Sequence, residues 1–270
     1  MKNIETYVVD SFTDRPFKGN PAGVCILKDQ LSDSEMLSIA KELGLSETAF
    51  VSELNQNTEY PIRFFSPLME IPLCGHATLA SSKVILEKSG QSSLCFVNIQ
   101  NLKLPIEVEE GFIKMVFPIY ETKPKEAPFE LLKAIGIKKV NDSVYNAETK
   151  ILLLEIESAE VLKNLTPDFD KLKKSHKGIN GVLVTALSTK EEFDFESRYF
   201  WPWSGTNEDP VTGGTHTFLA KYWGKKLDKT KLNSFQCSER TGFMEVELLD
   251  DEHMTIKSKA QIVLKGELKI

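Results

Sequence analysis

Cysteine is scarce in this 270-residue chain, and the four residues present (Cys25, Cys74, Cys95 and Cys237) form no CxxC pair. A disulfide framework and a zinc ribbon are therefore not expected, and the thiols read as those of a reduced, cytoplasmic protein. No apolar run is long enough to span a bilayer. The stretch 1–7 lacks the apolar region of a signal peptide. The net charge is −6 and no long basic run occurs, which argues against nucleic acid or an anionic membrane as the main partner. Neither a GxGxxG nor a Walker sequence is present, so no bound nucleotide cofactor is expected. Against these absences stands a composition of 41% hydrophobic and 27% charged residues. That is ordinary for a globular protein, and the length suits one large domain or two of usual size.

Two stretches resemble each other. Arg63-Phe64-Phe65-Ser66-Pro67 is followed by Glu70 and then Cys74-Gly75-His76-Ala77-Thr78. Arg198-Tyr199-Phe200-Trp201-Pro202 is followed by Glu208-Asp209-Pro210 and then Gly213-Gly214-Thr215-His216-Thr217. The offset between Arg63 and Arg198 is 198 − 63 = 135, half of the 270 residues. Each copy reads as a strand, a proline-bounded turn, a glycine, and a helix with histidine in its first turn. The first N–H groups of a helix have no intrahelical partner, so such an end attracts anions.

Hydrophobic patterning predicts strands at Ile4–Val9, Ala22–Leu27, Glu47–Glu53 and Tyr60–Phe65, and three more near 94–99, 104–109 and 112–117. Leu31–Leu43 reads as a helix with a Ser32/Glu35 capping box and Gly44 as its stop. Gly75–Lys88 is apolar on more than one face, which predicts a buried helix. Pro118–Pro128, with three prolines, reads as a linker between halves 1–117 and 118–259. The second half reads as a helix at Phe129–Ile135, strands near 143–146, 151–156, 181–186 and 193–200, and partial helix over Val161–Leu172. Helix Gly214–Lys226 then matches Gly75–Lys88, and strands near 235–238, 242–248, 253–258 and 261–265 complete the chain. Many strands with one principal buried helix per half indicate an α+β fold.

Several residues could carry chemistry. Glu47 lies at the mouth of an apolar strand, where burial can raise a carboxyl pKa into the range of a general acid or base; alone it reads equally as a solvated glutamate. His76 sits at a helix start, which favours neutral imidazole; alone it reads as a capping or core histidine. Asp209, before Pro210, reads as a turn former or an orienting carboxylate. Gly213 and Gly214 permit close backbone approach to a ligand. Cys74 could act as a racemase thiol, but the matching stretch at 212–215 holds no cysteine. Cys74-Gly75-His76 has no companion pair at zinc spacing, so no metal centre is expected.

Together, Val9–Phe12, Gly19–Ala22, Leu45–Phe50, Arg63–Pro67, Pro72–Thr78 and Glu208–Gly213 resemble the PhzF-like family of phenazine-biosynthesis isomerases. That family shares its fold with diaminopimelate epimerase. The resemblance implies two similar halves, each a curved mixed or antiparallel sheet around a central helix, with the active site in a cleft between them. It implies a homodimer, no cofactor, and a last strand, 260–270, that returns to the first half. It carries the family's proton-transfer glutamate onto Glu47, the helix-start histidine onto His76 and the turn carboxylate onto Asp209. Asn20, Gly75 and Gly213 match substrate contacts. The phenazine enzyme has serine where this chain has Gly214, so a side-chain donor is missing there while the backbone N–H remains.

These readings converge on a cofactor-independent isomerase that moves a proton on a small, possibly cyclic, carboxylic acid. Two alternatives keep the helix-start anion site: an amino- or hydroxy-acid epimerase or racemase, and a non-catalytic dimer that binds a small carboxylate.

Overall fold

The computed structural model describes residues 2–52 and 59–270, and the predicted strand end at Glu53 lies outside them. The chain divides into two compact units, Met1–Val116 with Ile256–Ile270, and Phe117–Thr255.

The first unit begins with β1 (Asn3–Ser11) and β2 (Asn20–Leu27), an antiparallel pair. Helix α1 (Asp33–Leu43) crosses to β3 (Thr48–Ser52), which lies parallel to β2. A parallel neighbour needs such a crossover. Strands β4 (Glu59–Phe65) and β5 (Glu70–Ile71) form a hairpin that leads into α2 (Gly75–Ser89). After α2 come β6 (Ser93–Val97), parallel to β4, then β7 (Lys103–Glu109) and β8 (Phe112–Pro118).

Local signals set α1. The Ser32 hydroxyl accepts from the Glu35 N–H at 3.3 Å, and the Glu35 carboxylate accepts from the Ser32 N–H at 2.7 Å. Gly44 ends the helix at φ 63°. Its buried Met36, Ile39 and Ala40 pack with Cys25, Phe50 and Phe65 on the sheet. Helix α2 is buried nearly all round because its residues are small. Thr78, Ser81 and Ser82 are buried, and each hydroxyl donates to the carbonyl four residues back at 2.7–2.8 Å. Hydroxyls satisfied within the helix add no unpaired polar group to the core. The sheet wraps this helix, which packs against β1, β2, β3 and β6.

The second unit repeats the plan. It runs β9 (Lys123–Pro124), α3 (Phe129–Ile135), β10 (Asp142–Asn146), β11 (Ile151–Glu155), α4 (Ala159–Lys163), α5 (Phe169–Ser175) and β12 (Gly181–Leu187). Then come β13 (Phe195–Trp201), β14 (Thr206–Asp209), α6 (His216–Leu227), β15 (Lys231–Gln236), β16 (Gly242–Leu248) and β17 (His253–Ser258). Strands β11 and β12 are parallel, as are β13 and β15, at the same places in the order as β2/β3 and β4/β6. Trp223 of α6 stacks on Phe195 with centroids 5.7 Å apart, and its indole N–H donates to Thr185 Oγ1 at 3.0 Å. Helices α3, α4 and α5 cover another face through Leu131, Ile135, Leu162 and Leu172. The final strand, β18 (Ala260–Lys269), pairs antiparallel with β1 in the first unit. The fold is thus α+β, with two topologically equivalent halves, each a curved mixed sheet around a helix.

Some predicted elements are corrected. Pro118–Pro128 is not a plain linker: Lys123 and Pro124 pair with Tyr145 and Val144 of β10. Proline is tolerated at such a sheet edge because no ladder donor is needed there. The strand expected near 235–238 lies at Lys231–Gln236, where the buried positions are Leu232, Ser234 and Gln236. Val161–Leu172 falls across two short helices, α4 and α5, and α6 starts at His216, two residues later than predicted. Among the described residues, no helix is long and apolar enough to cross a membrane.

Candidate active site

In the first unit, Glu47 directly precedes β3, and its carbonyl accepts from the Gly23 N–H at 3.1 Å, which ties it to β2. His76 is the second residue of α2. The Ser11 hydroxyl donates to the His76 carbonyl at 2.7 Å, so β1 fixes the start of that helix. The two side chains then meet: Glu47 Oε2 lies 3.2 Å from His76 Nε2, with only 14% and 11% of the side chains exposed. Ser46 Oγ lies 3.4 Å from the same nitrogen, and Cys74 Sγ lies 3.3 Å from Nδ1.

Burial pushes the His76 pKa below its ordinary value, and the nearby Glu47 opposes that shift only in part. The imidazole is therefore neutral at pH 7. A carboxylate only accepts, so the facing Nε2 carries the proton in the assignment these partners require, while the Cys74 sulfur lies against the ring. The resulting imidazole–carboxylate pair can hold and pass a proton. It sits beside the start of α2, whose first N–H groups are open to an anion.

Asn20, 1% exposed, begins β2 opposite Ser11. Its approach depends on Gly19, at φ 68°, where a Cβ would meet the Ser11 carbonyl oxygen at 2.0 Å. The buried Asp10 carboxylate accepts from the Phe17 N–H at 2.7 Å and sets this loop. Gly75 opens α2 next to His76, and the N-cap residue before it, Cys74, makes no side-chain capping bond.

Asp209, Gly213 and Gly214 form a separate group in the second unit. The Thr212 hydroxyl donates to the Asp209 carboxylate in a short contact. Gln236, 1% exposed, clamps the turn: its Nε2 donates to the Asp209 carbonyl at 2.7 Å, and its Oε1 accepts from the Thr212 N–H at 2.8 Å. The Gly213 carbonyl accepts from the His216 N–H at 3.0 Å. A Cβ built on Gly214 meets nothing within 4 Å.

The structure brings Glu47, Cys74 and His76 together and places Asn20 and Gly75 beside them through β1 and α2. Three contributors carried no sequence signal of their own role: Ser46, Ser11 and Gln236. The repeat itself encodes support. Arg63 grips Glu70 through two bonds of 2.7 Å, and Arg198 grips Glu208 through bonds of 2.8 and 2.7 Å. Each fork braces the hairpin that leads into a glycine turn.

Comparison with known proteins agrees with this architecture. The Phenazine biosynthesis-like protein family matches residues 9–266, and the chain belongs to that family. A relative from Halalkalibacterium halodurans, described as an uncharacterized isomerase, is 37% identical over 99% of each chain. The crystal structure of a PhzF-family phenazine biosynthesis protein from Enterococcus faecalis superposes with a TM-score of 0.90 at 34% identity, over 100% of both chains. The same fold recurs in a hydroxyproline epimerase from Agrobacterium vitis, with a TM-score of 0.58, 9% identity, and coverage of 98% of this chain and 92% of that one. That last likeness shows the fold alone.

Proposed function

We propose that this protein is an isomerase that moves a proton between carbon atoms of a small carboxylic acid, without a cofactor, as a homodimer in the cytoplasm. The observation that carries the reading is the largely buried Glu47 carboxylate 3.2 Å from a neutral histidine at a helix start. Glu47 removes the proton from one carbon and returns it to another. His76 orients the carboxylate through Nε2 and stays neutral, so it does not quench the base as an imidazolium would. The N–H groups at the start of α2 hold the substrate carboxylate. Family membership and the isomerase description of a 37% identical relative support this class of reaction. Asp209 acts as an orienting carboxylate, and Asn20 and Gly213 contact substrate, on the family resemblance.

Solvent-deuterium incorporation tests the reading. The chelator-treated protein is incubated in D₂O with a panel of small cyclic and acyclic carboxylic acids, including a dihydro-hydroxyanthranilate, and analysed by mass spectrometry. Deuterium should enter one carbon of a true substrate. Glu47→Gln should slow that entry by about 10²-fold or more, the usual worth of a general base. Exchange that persists unchanged in Glu47→Gln would remove Glu47 from the mechanism.

A further inference from the structure

Proton transfer by Glu47 and His76 leaves one close neighbour unused. Cys74 is 8% exposed, and its sulfur lies against the histidine ring, 3.3 Å from Nδ1 and 4.0 Å from Nε2. One ligand atom from each of Glu47, Cys74 and His76 lies within 4.8 Å of the others. Carboxylate oxygen, thiolate sulfur and imidazole nitrogen together are a zinc donor set. All four cysteines of the chain carry thiols, but only Cys74 has this company among the described residues.

The spacing also suits one ion. His76 Nε2 lies 3.2 Å from Glu47 Oε2 and 4.0 Å from Cys74 Sγ. A tetrahedral ion with bonds of about 2.0–2.3 Å holds its ligand atoms roughly 3.3–3.6 Å apart. The Nε2–Oε2 separation already fits, and the sulfur would need to close on the nitrogen by about half an ångström. A fourth position remains for water.

We infer that Glu47, Cys74 and His76 form a binding site for a thiophilic divalent cation of the Zn²⁺ type, and that its occupancy blocks proton transfer. Coordination converts the Cys74 thiol to thiolate and releases one proton to solvent, so binding tightens as pH rises. The same ion engages the Glu47 oxygen that must take the substrate proton, so metal and reaction compete. Coordination takes the Nε2 lone pair, so the imidazole proton that faces Glu47 in the metal-free protein moves to Nδ1. The blocking half rests on the function proposed above; the binding half does not.

The test uses the full chain after chelation and dialysis. Co²⁺ titration should give a thiolate-to-metal charge-transfer band, absent in Cys74→Ser. Zn²⁺ affinity, read by competition with a chromophoric chelator, should fall in Cys74→Ser and Glu47→Gln. Loss of even an outer-shell partner costs metal affinity about 10–100-fold, so each ligand variant should lose at least about tenfold. His253→Asn, which removes an exposed histidine beside Asp250, should bind as the wild type does. Wild-type protein supplies a readout free of any folding defect, since Zn²⁺ should protect Cys74 from alkylation, mapped by peptide mass. No charge-transfer band, unchanged affinity in Cys74→Ser, or unprotected Cys74 would overturn the site. Deuterium exchange that continues at saturating Zn²⁺ would overturn the block. Absence of exchange in the chelated protein would count against the isomerase reading alone, because the spectroscopic and protection readouts need no substrate.

Discussion

His76 and His216 occupy matching places in the two halves, yet their surroundings give them different work. His216 is fully buried and sits among Ser234 Oγ at 2.9 Å and the Thr212 carbonyl at 3.2 Å. Burial pushes its pKa down to about 4 from an ordinary 6.5. The unfolded chain therefore takes up a proton first as pH falls. Stability owed to His216 is intact above pH 6.5 and declines between 6.5 and 4, by about 3 kcal/mol in all. Urea midpoints measured from pH 7 to 4.5 should fall steeply in the wild type and less in His216→Asn. That window lies above the titration of Glu5, held near 2 against burial by Lys88 and Tyr7. Gly214 offers a second test. Space around it is open, so Gly214→Ser should fold with an unchanged melting temperature and, on the proposed function, alter substrate preference by adding a hydroxyl donor at that turn. Comparing exchange on the acid panel checks it. The sequence marked His76 and His216 alike, because a repeat reports position in a helix and not the partners that tertiary packing supplies. Glu47 and His76 each looked ordinary alone, and it is the β1–β2–β3 pairing that sets one against the other.

At the scale of elements, the two Arg–Glu forks differ in exposure. Arg198 and Glu208 keep 10% and 18% of their side chains exposed, against 27% and 23% for Arg63 and Glu70. Arg198 Nη1 also donates to the Leu165 carbonyl at 2.8 Å, whereas Arg63 has Asp33 as a second, exposed acid at 2.8 Å. Glu208→Gln leaves a buried guanidinium without its counter-charge and should cost about 3 kcal/mol. Glu70→Gln should cost about 1 kcal/mol, since water and Asp33 compensate. Chemical denaturation of the two variants decides it, and equal losses would sink the argument from burial. Elements with local signals were legible: Ser32, Glu35 and Gly44 define α1 without help from the rest of the chain. Strand β15 was misplaced because two of its three buried positions are polar, Ser234 and Gln236, and both serve the second unit's glycine turn and histidine. Strand β9 was missed because prolines mask an edge strand.

For the whole molecule, β18 is the unusual piece. It follows all of the second unit in sequence, yet it supplies the antiparallel neighbour of β1, with Tyr7 opposite Lys265 and Ser11 opposite Ala260. Removing 260–270 would turn β1 into an unpaired edge beside the residues that seat His76. The truncated protein should lose cooperative unfolding of the first unit and gain a tendency to associate through that edge. Near-ultraviolet circular dichroism and light scattering check this, and a chain cut only at Lys269 should behave as the wild type. The α+β class and the repeat were legible from the spacing of strands and glycine turns. The β18–β1 pairing was not written in local pattern, because a strand that alternates weakly, with only Ala260 buried and half its residues exposed, does not name its partner. The same pairing sets an order of events during synthesis. Every residue of the Glu47, Cys74 and His76 group emerges from the ribosome early, but the sheet that holds it stays open until β18 follows. A nascent chain can therefore complete its second unit before its first, and the Glu47, Cys74 and His76 group should not be fully held until β18 has emerged.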